Sequence, residues 1–307
     1  MQVVTWNLAK RARSVDGVAE ALAELRPDLL LLQSVTQAML EKLRAPLKAL
    51  ALRFVTSSIE DARAAGKHSG NVVASRWRCQ HLPAGWAGRE SRSRGWVQRY
   101  NRMGIERPPW NGLAPKPWRL LRARLDSPWG FVDVFNVNVP AQSRNRWDKV
   151  KTMDALASSV EASPIGLRLL GGDLATPRKE TRDGLRGYGA GAPARGKLWD
   201  EAELGLLAVD ARHGLSDAFR ALHPVAEAPH AASCLVDGSG LRRFDHLLVS
   251  RQFIPQDAQY HQEHMDKPSE LRLSNHAPLS ASFEVRLMPV GPGYSVPPPS
   301  LRPAAGG

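Results

Sequence analysis

Polar side chains of the kinds that do phosphoryl and proton-transfer chemistry stand at one end or the other of successive apolar runs in this chain: Asn7, Gln33-Ser34, Asn136 and Asn138, Asp173, Asp245-His246, and Asn275-His276. The sharpest case is LLGGDLAT, residues 169–176. There an apolar run breaks at Gly171-Gly172 and leaves Asp173 at the lip of what reads as a buried strand. Glycine removes side-chain bulk, so a phosphate or a metal can approach such a carboxylate closely. Taken alone, the stretch is equally a strand that stops in a Gly-Gly-Asp turn. Strand ends on one side of a sheet converge in space, so the set of endings describes a polar pocket better than any single one.

A sheet must gather these residues, and the hydropathy pattern supplies one. Residues 2–8, β-branched at Val3, Val4 and Thr5, predict a strand ending at Asn7. Val15, Val18, Ala19, Leu22 and Leu25 recur at helical spacing up to Arg26-Pro27, and residues 28–35 form a continuous apolar run of strand length. This is a βαβ-like opening with both strands buried on two faces. A second amphipathic helix is expected over 36–52 with a break at Pro46, then a short strand at 70–75. A hairpin turning at 126–130 joins strands at 118–125 and 130–139. A helix over 146–160 precedes the LLGGD strand, and a Gly- and Arg-rich loop follows at 176–197. Helices at 200–213 and 217–222 and strands at 244–249 and 277–285 complete the pattern.

Between Trp77 and Trp118 no period is sustained. Arginines (Arg89, Arg92, Arg94, Arg99) recur there among aromatics (Trp86, Trp96, Tyr100, Trp110), which reads as a long insertion or loop. Such a mixture suits a nucleic-acid surface, with arginines for phosphates and aromatic faces for unpaired bases, and equally a solvated basic loop whose tryptophans pack onto the domain. Residues 288–307 are rich in Pro and Gly and are expected to be a disordered tail. With no internal linker or repeat, residues 1–287 are expected to form one domain.

The 307 residues are 43% hydrophobic and 23% charged, enough to bury a large core. Lys and Arg outnumber Asp and Glu 42 to 30, a net charge of +12 that favours polyanionic partners such as nucleic acid, phosphoesters or anionic lipid. The two cysteines, Cys79 and Cys234, lack metal-type spacing and argue against a disulfide framework or a zinc cluster; they read as small hydrophobes. No charged leader with a long apolar region is present and no apolar run reaches membrane-spanning length, so a cytoplasmic protein without membrane partners is expected.

Eight stretches, VVTWNL, PDLLLLQSV, GNVVASRW, VDVFNVNVP, LLGGDLATPR, GLSDAFRALHP, RRFDHLLVS and LSNHAPLSASFEV, resemble in order and spacing the endonuclease/exonuclease/phosphatase superfamily, the deoxyribonuclease I-like hydrolases. The resemblance implies an α/β (α+β) four-layer sandwich, two mixed β-sheets face to face with helices outside. It also implies hydrolysis of a phosphodiester or phosphomonoester assisted by Mg²⁺ or Mn²⁺, which would neutralise developing charge and lower the pKa of the attacking water. Carried over residue by residue, Asn7 helps orient the metal ligands and Asp173 aligns or deprotonates the water. His276 contacts the scissile phosphate, and Asp245 fixes its tautomer and favours its charged form.

This chain departs from the pattern at four places. Gln-Glu becomes Gln33-Ser34, a phosphate-contacting His or Tyr becomes Asn138, Asp-hydrophobic-Asn becomes Asp173-Leu174-Ala175, and Ser-Asp-His becomes Ser274-Asn275-His276. Mg²⁺ is normally held by one or two carboxylates plus substrate, and losing one preorganised donor to a transition state costs about a hundredfold or more in rate. The candidates are therefore Asp173, Asp245 and His276 for catalysis, Asn7 and Asn275 as weak metal ligands, and Asn138, Arg92 and Arg94 for substrate. Asp245 with His276 can also be a structural pair, and Asn7 and Asn138 can simply close strand ends. Two main readings follow. The first is a metal-dependent phosphoric-ester hydrolase with weakened catalysis. The second is a non-catalytic protein that binds nucleic acid or a phosphorylated ligand on the same fold. A protein-interaction role through the tail is a third.

Overall fold

Runs that are apolar on both faces can be satisfied only as inner strands of stacked sheets. In the computed structural model, four such runs are β2 (Leu29–Thr36), β4 (Ser69–Ser75), β8 (Leu167–Asp173) and β14 (Asp245–Ser250), nearly every residue of which is buried. The structure describes residues 1–9, 14–83, 116–140, 146–163, 166–177, 179–181, 184–186, 201–208, 211–236, 240–265 and 273–287.

Two six-stranded mixed sheets form. The first runs β15 (Phe253–Tyr260), β16 (Leu279–Val285), β1 (Gln2–Asn7), β2, β4, β3 (Phe54–Ser57). The second runs β11 (Leu215–Asp217), β14, β8, β7 (Gly130–Asn138), β6 (Leu120–Ser127), β5 (Arg78–Leu82). The expected βαβ opening is present: β1 and β2 are parallel around α1 (Val15–Leu25), as are β7 and β8 around α4 (Arg146–Glu161), and the short α3 (Ile59–Ala64) connects β3 to β4. The β6–β7 hairpin also forms. Two small hairpins, β9 (Lys179–Thr181) with β10 (Gly184–Arg186) and β12 (Cys234–Val236) with β13 (Gly240–Arg242), lie outside the sheets.

The inner faces meet through Val3, Leu29, Leu31 and Val73 on one side and Leu121, Leu169 and Leu247 on the other. The outer face of the first sheet is covered by α1 and α2 (Gln37–Ala49), whose Val18, Leu22, Leu43 and Leu47 pack on Val4, Leu30 and Leu32. The outer face of the second receives Val150, Met153 and Leu156 of α4 against Phe135, Leu170 and Leu248. Helix, sheet, sheet and helix give the expected four layers. Among the described residues, no helix is long and apolar enough to cross a membrane.

A polar stitch crosses the apolar interface. Asn136 Nδ2 donates to Leu32 O at 3.0 Å and Val72 O at 2.8 Å, while its Oδ1 accepts from Gln33 Nε2 at 2.8 Å. Asn71 Nδ2 returns a bond to Asn136 O at 3.0 Å. Gln33 and Asn136 thus serve the sheet interface, although the sequence groups them with the pocket.

Other expectations shift for identifiable reasons. Helix α2 continues through Pro46, because Met39, Leu40, Leu43 and Leu47 form a buried stripe and the missing donor falls in its final turn. The aperiodic stretch after Trp77 begins as strand β5, in which Cys79 and Leu82 are half-buried and the rest exposed at the sheet edge; residues 84–115 lie outside the described ones, as do 288–307. The helix expected over 200–213 is helical over 201–207 and has ended by residue 211. Beyond it His213 bonds Leu206 O and the Leu215 amide, and Gly214 turns the chain at φ +66°. The short strands β3 and β11 and the longer edge strand β15 carry too little apolar pattern to be predicted.

Gly172 has φ +140°, and a Cβ there would lie 2.0 Å from Val137 O. Side chain and backbone cannot both fit, so Gly172→Ala is expected to cost about 2 kcal/mol or more of stability, read from the urea midpoint. An unchanged midpoint would contradict this close approach of β7 and β8.

Candidate active site

Parallel pairing puts the carboxyl ends of β1, β2, β7 and β8 on one edge, delivering Asn7, Ser34, Asn138 and Asp173. Strand β14 runs the other way against β8, so Asp245 at its start lies in register with Asp173. His276 enters just before β16, bridged to Cys234 of the β12–β13 hairpin.

These ends meet. Asn7 Nδ2 donates to Asp173 Oδ2 at 2.8 Å and lies 3.5 Å from His276 Nε2. His276 Nδ1 bonds Asp245 Oδ2 at 2.7 Å, and its Nε2 faces Asp173 Oδ2 at 3.9 Å and Cys234 Sγ at 3.4 Å. Asp173 Oδ1 accepts from the Ala175 amide at 2.7 Å, within a turn where Ala175 takes a left-handed φ of 51°. Asn138 Nδ2 donates to Ser34 Oγ at 2.8 Å.

No family model matches the chain, and no curated protein is similar to it in sequence. Solved structures are similar in shape. An AP endonuclease from Archaeoglobus fulgidus superposes with TM-score 0.59 at 18% identity over 93% of this chain and 100% of that one. An endonuclease/exonuclease/phosphatase from Beutenbergia cavernae does so with TM-score 0.58 at 14% identity over 93% of this chain and 71% of that one. The 3′ phosphatase NExo from Neisseria, bound to product DNA hairpin, gives TM-score 0.56 at 20% identity over 92% and 99% of the two chains. The chain has the deoxyribonuclease I-like fold.

Within that fold, a surrounding shell fixes the pocket residues. Ser233 Oγ donates to Asp245 Oδ2 at 2.7 Å and accepts the amides of Phe244 and Asp245 at 2.8 and 2.9 Å. Tyr260 OH donates to Asp245 O at 2.6 Å, and Trp6 Nε1 to His276 O at 2.9 Å. Ser274 Oγ donates to Asn7 O at 2.6 Å while accepting the His276 amide at 3.1 Å. Lys149, fully buried, reaches Ala175 O at 2.6 Å and Glu203 at 3.3 Å and so holds the loop behind Asp173.

Burial disfavours charge on His276, but the Asp245 carboxylate outweighs it and holds the imidazole pKa well above its ordinary value. Burial raises the Asp173 carboxyl, against the opposing pull of His276. The core is thus an imidazolium clamped between two buried acids.

Of the residues singled out from sequence, Asn7, Asp173, Asp245 and His276 converge, with Ser34 and Asn138 beside them. His246 does not join them. Its Nε2 bonds Thr176 O at 2.7 Å and its Nδ1 lies 3.1 Å from Asp217, because alternate residues of β14 face opposite sides of the sheet. Asn275 turns to Leu235 O at 3.3 Å and to Cys234 Sγ at 4.0 Å. Arg92 and Arg94 lie outside the described residues. Two residues were not singled out for the site: Cys234, which reads as a small hydrophobe, and Arg119, whose Nη1 donates to Asn138 O at 3.2 Å. No spacing signals the cysteine. The arginine falls near the start of the strand expected at 118–125, but only pairing of β6 with β7 brings it to the pocket.

Asp173, Asp245 and His276 place ligand atoms within 4.8 Å of one another, close enough to share a cation. The set fits Mg²⁺ poorly. Asp245 is fully buried with Oδ2 committed to His276 and Ser233, and His276 Nδ1 is spent on Asp245. Among the described residues Asp173 is thus the single acid of this set left to face the pocket, where Mg²⁺ calls for hard oxygen ligands in near-ideal geometry.

A histidine whose folded pKa is raised stabilises the fold below its unfolded pKa of about 6.5 and loses that contribution as pH rises through the folded value. Asp245→Asn is therefore expected to lower the His276 pKa, read by NMR titration. It should destabilise the protein most below about pH 6.5, with the gap in urea midpoint narrowing at alkaline pH. A gap independent of pH would mean that the pair is not charged.

Proposed function

We propose that the chain binds phosphoesters in this pocket and hydrolyses them slowly, with nucleic-acid phosphodiesters as the substrate class. The observation that carries the reading is the pinned His276: with Nδ1 held by Asp245, Nε2 is turned toward Asp173 and Asn7. An imidazolium so held donates from Nε2 to a phosphate oxygen and stabilises negative charge as it develops. Asp173, fixed by Asn7 and the Ala175 amide, orients a water and accepts its proton, and burial, by raising its pKa, makes it the stronger base. We assign no step to Mg²⁺ or Mn²⁺: among the described residues the pocket offers them one acid, with Asn7 as a neutral neighbour and Asn275 turned to Leu235 O. The net charge of +12 supports a polyanionic substrate, as does the similarly shaped NExo structure bound to a DNA hairpin. Binding without turnover is the second reading, favoured by the neutral Ser34 and Asn275 and by the two occupied oxygens of Asp173.

Hydrolysis of an aryl phosphodiester and of plasmid DNA separates the two. Activity of the native chain should fall about a hundredfold or more in Asp173→Ala and in His276→Ala. Equal background rates in all three, with salt-sensitive DNA binding retained, would leave binding as the function.

A further inference from the structure

We propose that Arg119 is the cation that grips the substrate phosphate, doing in this pocket what a divalent metal would otherwise do; the inference rests on the phosphoester reading above. A phosphate needs positive charge, and the pocket's two acids, Asp173 and Asp245, oppose it. His276 offers one compensating charge, already shared between them. Among the described residues Arg119 is a further cation at this edge, Lys149 behind Asp173 being committed to Ala175 O and Glu203. It closes the single turn Pro117–Arg119 that leads into β6, with its carbonyl anchored by Asn71 Nδ2 at 3.0 Å.

Its Nη1 donates to Asn138 O at 3.2 Å. Asn138 is the register neighbour of Asp173 on β7 and β8, and its amide reaches Ser34 Oγ at 2.8 Å. The guanidinium therefore sits at the corner of the pocket where Ser34, Asn138 and Asp173 meet. Burial disfavours its charge while Asp173 and Asp148 support it, which places it within electrostatic reach of the catalytic acid. A guanidinium nevertheless stays protonated at any working pH.

Arg119 forms no ion pair among the described residues, and its Nε is shielded from solvent without a partner. Desolvating a donor and leaving it unpaired is costly, so the enclosed Nε marks a guanidinium held in place by the packing around it rather than by an internal carboxylate. With Nη1 on Asn138 O and Nε enclosed by protein, Nη2 is the donor left for a phosphate oxygen, and at a half-buried site the attraction exceeds that at an open surface. No other described residue offers a planar fork at this edge. Lys116 is committed to Asp148 at 3.0 Å.

The test is titration of the full chain with inorganic phosphate and with a short DNA oligonucleotide, each in EDTA and again with Mg²⁺. Variants are Arg119→Ala, Arg119→Lys and, as a control away from the pocket, the exposed Arg63→Ala. Melting curves confirm that each variant is folded, and the Arg119 Nε–H resonance of the native chain is followed by NMR. We expect binding in EDTA that Mg²⁺ leaves unchanged, a loss of about tenfold to a hundredfold in Arg119→Ala, and a smaller loss in Arg119→Lys. Arg63→Ala should bind as the native chain does, and phosphate should shift the Nε–H signal. Phosphate binding with a weaker oligonucleotide response would identify a monoester end as the ligand, and the reverse an internal phosphodiester; both support the role of Arg119. Binding that requires Mg²⁺, or that survives Arg119→Ala, would overturn the proposal while leaving the pocket as a phosphate site. No binding of either probe by the native chain would refute the phosphoester reading and this proposal together.

Discussion

The side-chain amide of Asn136 governs the geometry of everything above it. It is fully buried between two apolar sheets, where an unpaired amide would cost several kcal/mol, and it is saturated by Leu32 O, Val72 O and Gln33. Apolar faces slide on one another with little penalty, but these bonds do not. They fix β7 against β2 and β4, and that registration sets Asn138 against Ser34 and Asn7 against Asp173 at the sheet edge. The pocket is where two rigid sheets end together, and its precision is inherited from their packing.

Charge is arranged in the same layered way. Behind Asp245, Arg243 binds Asp217 at 2.8 Å and Glu180 at 3.0 Å, while Arg220 also pairs with Glu180. Burial alone would raise the Glu180 carboxyl, yet the two arginines bring it down to about 2. Tyr260 ties this cluster to the pocket, accepting from Arg243 at 3.3 Å and donating to Asp245 O at 2.6 Å. Asp217 also holds His246 and, through it, the Thr176 carbonyl in the loop after Asp173. A buried charge without a partner is very costly, so each member of the cluster constrains the next. The two acids of the pocket are thereby held from behind on separate strands.

In front, the pocket is poorer in carboxylates than its fold leads one to expect. Ser34 and Asn275 are neutral, and among the described residues the one acid turned to the pocket, Asp173, is already engaged by Asn7 and a backbone amide. What remains is a hydrogen-bonded imidazolium, a positioned carboxylate and a half-buried arginine. Such a set is better suited to gripping an anion than to holding a small dication, which agrees with the chain's surplus of basic residues.

Much of this was legible in the sequence, and the division follows from the range of the forces involved. Periodicity and composition are local properties, so they located the strands that end in Asn7 and Asp173, the strand that begins around Asp245, the βαβ-like opening, and the hairpin before Asn138. The order of the motifs then implied the sandwich and paired Asp245 with His276. What stayed hidden depends on contacts between distant segments. The role of Gln33 and Asn136 as an inter-sheet stitch and the outward turn of His246 follow from which face of a strand meets which neighbour. The arrival of Cys234 and Arg119 beside residues far away in the chain comes from sheet pairing that no local pattern encodes. The sequence by itself determined which residues stand at the strand ends; only the tertiary structure decided which of those residues share a pocket, because pairing register and sheet packing are set by the whole core at once.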